Sequence, residues 1–210
     1  MKNLLLFLVF VCTLSLPCRG NPVPFSPIVR NYSVLDYNAG NENWAVAQDG
    51  RGVMYFGKNS GLLRYDGSRW KLFPLPASGI VRAVYVASDG RIYVGSFEEF
   101  GYFEENDLNL LEYHSLKDQV KGFNFHNDEI WTIVEQEGNI VFQSFGSYFI
   151  YDGTTTKGVR CHELPLNLFR VGDTVYSQLI NAGVCAFTGD RFTPLISRQE
   201  LGNSDVLAGL

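Results

Sequence analysis

The chain has 210 residues, 46% hydrophobic and 14% aromatic, with 21 glycines and a formal net charge of −5. No Lys/Arg cluster is longer than a pair, and phosphate neutralisation needs a basic footprint, so nucleic acid is excluded as a partner of this segment. Abundant aromatics, frequent glycine and only 19% charged residues fit an all-β array.

Residues 1–20 read as a secretory signal. Lys2 supplies the positive start, Leu4 to Leu16 form an apolar run, and Cys18-Arg19-Gly20 offers small residues for cleavage after Gly20. The run is short for a membrane span, which needs roughly 20 apolar residues. Cleavage would remove Lys2 and Arg19, leaving a net charge of −7. It would also remove Cys12 and Cys18, leaving Cys161 and Cys185. These two could form a disulfide in an exported protein; two buried thiols on neighbouring repeats are the preferred expectation.

Residues 21–43 form a Pro-rich leader and lead-in segment. A strand cassette then appears four times, as Phe56–Gly67, Val94–Glu105, Phe142–Gly153 and Gln178–Gly189. It aligns Tyr65, Phe103, Tyr151 and Phe187 at spacings of 38, 48 and 36 residues. Strand-and-turn repeats of that length predict β-propeller blades of four antiparallel strands. The first blade covers 44–76, with strands at Trp44–Gln48, Val53–Gly57, Leu62–Tyr65 and Ser68–Leu75. Asp49-Gly50 and Asp66-Gly67 mark its turns. The second covers 80–116, with strands at Val81–Ala87, Ile92–Gly95, Gly101–Phe103 and Leu108–Tyr113. The third covers 121–166, with strands at Glu129–Val134, Ile140–Ser144, Tyr148–Tyr151 and Val159–Leu164. The fourth covers 167–198, with strands at Leu168–Val171, Val175–Leu179, Gly183–Phe187 and Phe192–Ile196. Residues 204–210 read as the first strand of a fifth blade. A lone strand exposes an unpaired edge, so an incomplete array is expected, of about seven blades when whole.

The cassette resembles the two-component regulator propeller repeat of bacterial signalling proteins, particularly in Bacteroidetes. The matching residues are Gln48-Asp49-Gly50, Tyr55-Phe56-Gly57, Gly61-Leu62-Leu63-Arg64-Tyr65-Asp66-Gly67 and Ser88-Asp89-Gly90-Arg91-Ile92-Tyr93-Val94-Gly95. Asn31-Tyr32, Asp36-Tyr37, Ala39-Gly40, Asn43-Trp44 and Phe97–Phe103 are similar to a subgroup of regulators. In that subgroup a triple-tyrosine β-sandwich, a membrane helix, a coiled coil and a LuxR-type helix-turn-helix follow the propeller. Other members are hybrid histidine kinases. The third and fourth blades depart from the repeat, with Gln143 and Leu179 standing where Gly57 and Gly95 do.

The resemblance implies an exported sensor region, periplasmic and tethered through a C-terminal segment outside this sequence, with sensor and output domains there. It also implies a glycan-derived ligand and a homodimer in the full protein. No catalytic residue, metal site or cofactor is expected. His114, His126 and His162 have no ligand spacing between them, and the carboxylate pairs Glu98-Glu99, Glu104-Glu105 and Asp128-Glu129 read as solvated loop groups. The candidate ligand-binding residues are Arg82, which opens a first strand, and the segment Glu98-Glu99-Phe100, read as an insertion at one rim. The preferred expectation for that segment is nevertheless a structural turn packing Phe97 and Phe100 between blades. Trp44, Trp70 and Trp131 could stack on a sugar, although strand positions favour packing. Two other functions stay open: a propeller-fold carbohydrate-active enzyme, lyase or glycosidase, and a non-catalytic interaction scaffold.

Overall fold

The computed structural model describes residues 29–76, 79–108, 110–202 and 204–206. The chain divides into two units, 1–31 and 32–210, and every element below belongs to the second. The expected signal sequence and residues 207–210 of the expected fifth-blade strand lie outside the described residues.

Among the described residues, sixteen strands form four antiparallel sheets, each a meander of four consecutive strands. The first sheet contains β1 (Ala45–Gln48), β2 (Met54–Lys58), β3 (Gly61–Tyr65) and β4 (Trp70–Phe73). The second contains β5 (Ala83–Val86), β6 (Ile92–Gly95), β7 (Phe100–Glu105) and β8 (Leu111–Ser115). The third contains β9 (Thr132–Gln136), β10 (Asn139–Gln143), β11 (Ser147–Tyr151) and β12 (Thr156–Arg160). The fourth contains β13 (Pro165–Val171), β14 (Thr174–Leu179), β15 (Gly183–Thr188) and β16 (Arg191–Ser197). The first strands lie side by side in order, β1 against β5, β5 against β9 and β9 against β13.

The four aligned aromatics are equivalent in three dimensions. Tyr65, Phe103, Tyr151 and Phe187 each pair with the residue at or near the start of the second strand, respectively Met54, Ile92, Ile140 and Val175. Some turns match the expected chemistry. One carboxylate oxygen of Asp66 accepts from the N–H groups of Ser68 and Arg69, and one of Asp152 accepts from Thr154 and Thr155. Gly67 (φ +93°) and Gly153 (φ +94°) follow in the left-handed region that glycine enters without steric cost. The first hairpin differs. Its left-handed residue is Gly52 (φ +85°), not Gly50, and Asp49 accepts from the N–H groups of Arg51 and Val53.

Three apolar cores fill the spaces between sheets. Tyr55, Leu62 and Phe73 meet Val81, Val94 and Phe103. Tyr93, Phe100 and Tyr102 meet Ile133, Phe142, Phe149 and Tyr151. Val134, Val141 and Tyr148 meet Leu168, Val175 and Phe187. Large aromatics dominate because each sheet must bury area on both faces against its neighbours.

The junction between sheets follows two chemistries. A Cβ on Gly57 would lie 2.6 Å from the Val81 carbonyl oxygen, and one on Gly95 would lie 2.4 Å from Ile130 Cγ2. Only glycine lets the incoming chain approach so closely. In the third sheet the equivalent residue is Gln143, fully buried. Its amide donates to the carbonyls of Pro165 and Leu166, and its oxygen accepts from Leu168 N–H at 2.8 Å. In the fourth sheet the equivalent is Gln178, not Leu179 as the sequence alignment placed it, because the β14–β15 turn is one residue longer. Gln178 donates to Asp205 at 2.9 Å and accepts from Val206 N–H at 2.6 Å.

Candidate functional site

One end of the sheets carries the starts of the first strands and the turns between second and third strands. Trp44, Arg82 and Trp131 occupy the same place in successive sheets, their N–H groups donating to the carbonyls of Gly57, Gly95 and Gln143 at 2.9, 2.8 and 2.9 Å. Equivalence in register therefore brings the three side chains together. The Arg82 guanidinium lies 3.6 Å from the Trp44 ring centroid and 5.2 Å from that of Trp131. Arg82 Nε donates to Glu129 Oε1 at 2.6 Å. One guanidinium nitrogen, Nη1, is buried without a hydrogen-bond partner among the described residues. Trp44 is 43% exposed and donates its indole N–H to Asn59 at 2.6 Å. Phe145, also exposed, lies 5.8 Å from the Trp131 ring.

The Glu98-Glu99-Phe100 segment is not an insertion. Phe97-Glu98 is a two-residue turn equivalent to Asn59-Ser60 and Phe145-Gly146. Its three candidate residues have separate fates. Glu98 takes a left-handed backbone (φ +46°), donates its N–H to the Asp128 carbonyl at 2.8 Å and accepts from Asn127 N–H at 3.0 Å. Glu99 accepts from the Tyr113 hydroxyl at 2.8 Å and the Ser115 hydroxyl at 2.7 Å. Burial, with the Glu99 charge beside it, raises the Tyr113 phenol well above its ordinary range. Phe100 is fully buried and packs 4.7 Å from Phe149 and 4.8 Å from Phe142, so it belongs to the core and not to the rim. Phe97, expected to pack between blades, is instead 53% exposed.

Beneath this surface lie buried polar groups. Asp128 is 2% exposed and accepts from Ser144 at 2.9 Å, His126 N–H at 2.9 Å and Arg160 at 3.2 Å. Burial opposes its ionisation, but hydrogen bonds from Ser147, His126 and Ser144, with the Arg160 charge, hold it below the usual carboxylate range. Lys58, 1% exposed, donates to Asn43 at 2.9 Å and sits over the Tyr37 ring. Burial lowers its pKa.

A cavity of about 300 Å³ opens beside Glu129, the partner of Arg82, and is lined by residues including Gly79, Ser96, Phe97, Glu98, Glu99 and Lys117. The three histidines stand apart, His114 on β8, His126 before β9 and His162 between β12 and β13. Cys161 and Cys185 are unpaired thiols, and burial pushes Cys161 up to about 11. Among the described residues no group of three or more His, Cys, Asp or Glu side chains could hold a metal ion, and no helix is long and apolar enough to cross a membrane.

No protein-family model and no curated protein matches the sequence. Solved structures do. Virginiamycin B lyase from Staphylococcus aureus superposes with a TM-score of 0.58 at 12% identity, over 75% of this chain and 57% of that one. The extracellular domain of the putative hybrid two-component system BT4673 from B. thetaiotaomicron gives 0.54 at 15% identity, over 74% and 22%. PorZ, a surface component of the type-IX secretion system of Porphyromonas gingivalis, gives 0.58 at 13%, over 86% and 31%. The fold is a β-propeller array. The chain spans little more than half of the lyase and under a third of the other two. At these identities the likeness carries the fold alone.

Proposed function

We propose that this chain is the extracytoplasmic sensor region of a bacterial signal-transduction regulator, exported, and acting by noncovalent binding of a ligand or partner at the Trp44–Arg82–Trp131 rim. The observation that carries this reading is the rim itself. Two partly open indoles flank a guanidinium with a spare buried donor, which suits a ligand with flat apolar faces and polar edges, such as a sugar. The likeness to the extracellular domain of a putative two-component system supports it at the level of fold. Noncovalent action is favoured because one oxygen of each of Glu98, Glu99 and Glu129 is held in a structural hydrogen bond, which suits these carboxylates to fixed recognition through the other oxygen more than to acid–base exchange. Output would be carried by domains outside this sequence.

The test is made in cells that carry the gene. Transcripts are profiled on a panel of oligosaccharides with the wild-type gene and with Trp44→Ala. At least one sugar is expected to induce a response that the variant loses while its protein level is unchanged. A transcript profile identical in wild type, variant and deletion on every sugar would overturn the sensor role.

A further inference from the structure

We propose that the cavity beside Ser96 takes a small molecule carrying a primary ammonium group and at least one hydroxyl. The inference rests on the rim being a binding face and names the ligand class of its cavity.

Ser96 decides the location. It is 1% exposed and lines the cavity, and its hydroxyl has no hydrogen-bond partner among the described residues. The equivalent residue one sheet on is Ser144, whose hydroxyl is paired with Asp128 at 2.9 Å and the Ser147 carbonyl at 3.2 Å. The same position is therefore satisfied in the third sheet and vacant in the second. A buried hydroxyl without a partner is costly to keep. The Gly79 backbone passes close beside it: a Cβ there would lie 2.8 Å from Ser96 Oγ.

Charge decides the ligand. Glu98, Glu99 and Glu129 line the cavity against one cation, Lys117. In each carboxylate Oε1 takes the structural hydrogen bonds, from Asn127, from Tyr113 and Ser115, and from Arg82 respectively. Each Oε2 accepts no hydrogen bond among the described residues. Lys117 is turned toward the Phe125 ring, 5.1 Å from its centroid. Even with Arg82 paired to Glu129, carboxylates outnumber cations, and their free oxygens suit N–H donors. An anion would meet three negative groups. The exposed Phe97 ring offers an apolar face, and a volume of about 300 Å³ sits at the lower end of small-molecule sites.

Binding is measured by calorimetry on the whole chain at low salt with three probes: glucosamine, N-acetylglucosamine and glucose. Glucosamine is expected to bind at least about tenfold more tightly than the two neutral sugars, the amount one charge-assisted hydrogen bond supplies. The preference is expected to shrink at higher ionic strength. Glu98→Gln keeps the acceptor for Asn127 and removes the charge, so it is expected to reduce the preference. Ser96→Ala is expected to weaken binding of glucosamine several-fold with the fold intact by circular dichroism. Equal affinity for amine and acetylated sugars, or a preference untouched by Glu98→Gln, would overturn the amine assignment and leave the sensor reading standing. Failure of all three probes to bind at about 10 mM would overturn the cavity as a site for this ligand class.

Discussion

At the residue scale, Arg82 is the side chain on which the rim depends. Stacking between two indoles needs a planar cation, which a lysine ammonium does not provide. Arg82→Lys retains a charge for Glu129 and gives up the stacking, and a loss of about 0.5–1 kcal/mol in a denaturant titration is expected. Asp128 makes a second, separable point. Its native pKa is depressed, so its contribution is complete above the unfolded value of about 3.9 and disappears as pH falls through the native value. Wild-type stability should therefore decline below about pH 4. Asp128→Asn, tested by thermal melts across pH, should be less stable near neutrality and lose less on acidification. A parallel fall in both proteins would remove Asp128 as the cause. Arg82 was legible from its place at the start of a strand, but its partners were not. Trp44 and Trp131 lie 38 and 49 positions away, and only blade register makes them neighbours. Phe100 carried both a rim and a packing reading, and its place at the start of β7, where the first four residues are all buried, decides for packing.

At the element scale, blade junctions use either a missing side chain or a hydrogen-bonding one, and the two are not interchangeable. Gly57→Ala should cost about 1–3 kcal/mol through overpacking, because its Cβ would meet the Val81 backbone carbonyl. Gln143→Ala should cost about 1–3 kcal/mol by leaving the Leu168 N–H and the carbonyls of Pro165 and Leu166 without partners. Chemical denaturation of each variant checks both values. A neutral Gln143→Ala would show that the glutamine does not hold the junction. The cassette made the strands legible because alternating apolar residues and Asp-Gly turns recur at blade length. Register within turns was less so. Gly50 and Gly52 are two residues apart and only the backbone shows which is left-handed. Gln178 was displaced to Leu179 by a single extra turn residue.

At the scale of the whole molecule, four meandering sheets pack through aromatic cores and gather one residue from each of three blades into a shared rim. Noncovalent recognition is the central claim, and one measurement addresses it most directly. The chain is incubated with a panel of amino sugars and oligosaccharides, and the same samples are melted and then analysed by mass spectrometry. A ligand that binds the native state raises the melting temperature in proportion to its occupancy. The expected result is a compound that stabilises the wild-type chain, does so less in Trp44→Ala, and is recovered with its mass unchanged. A stabilising compound recovered as a cleaved or eliminated product would contradict the claim and make the rim an active site.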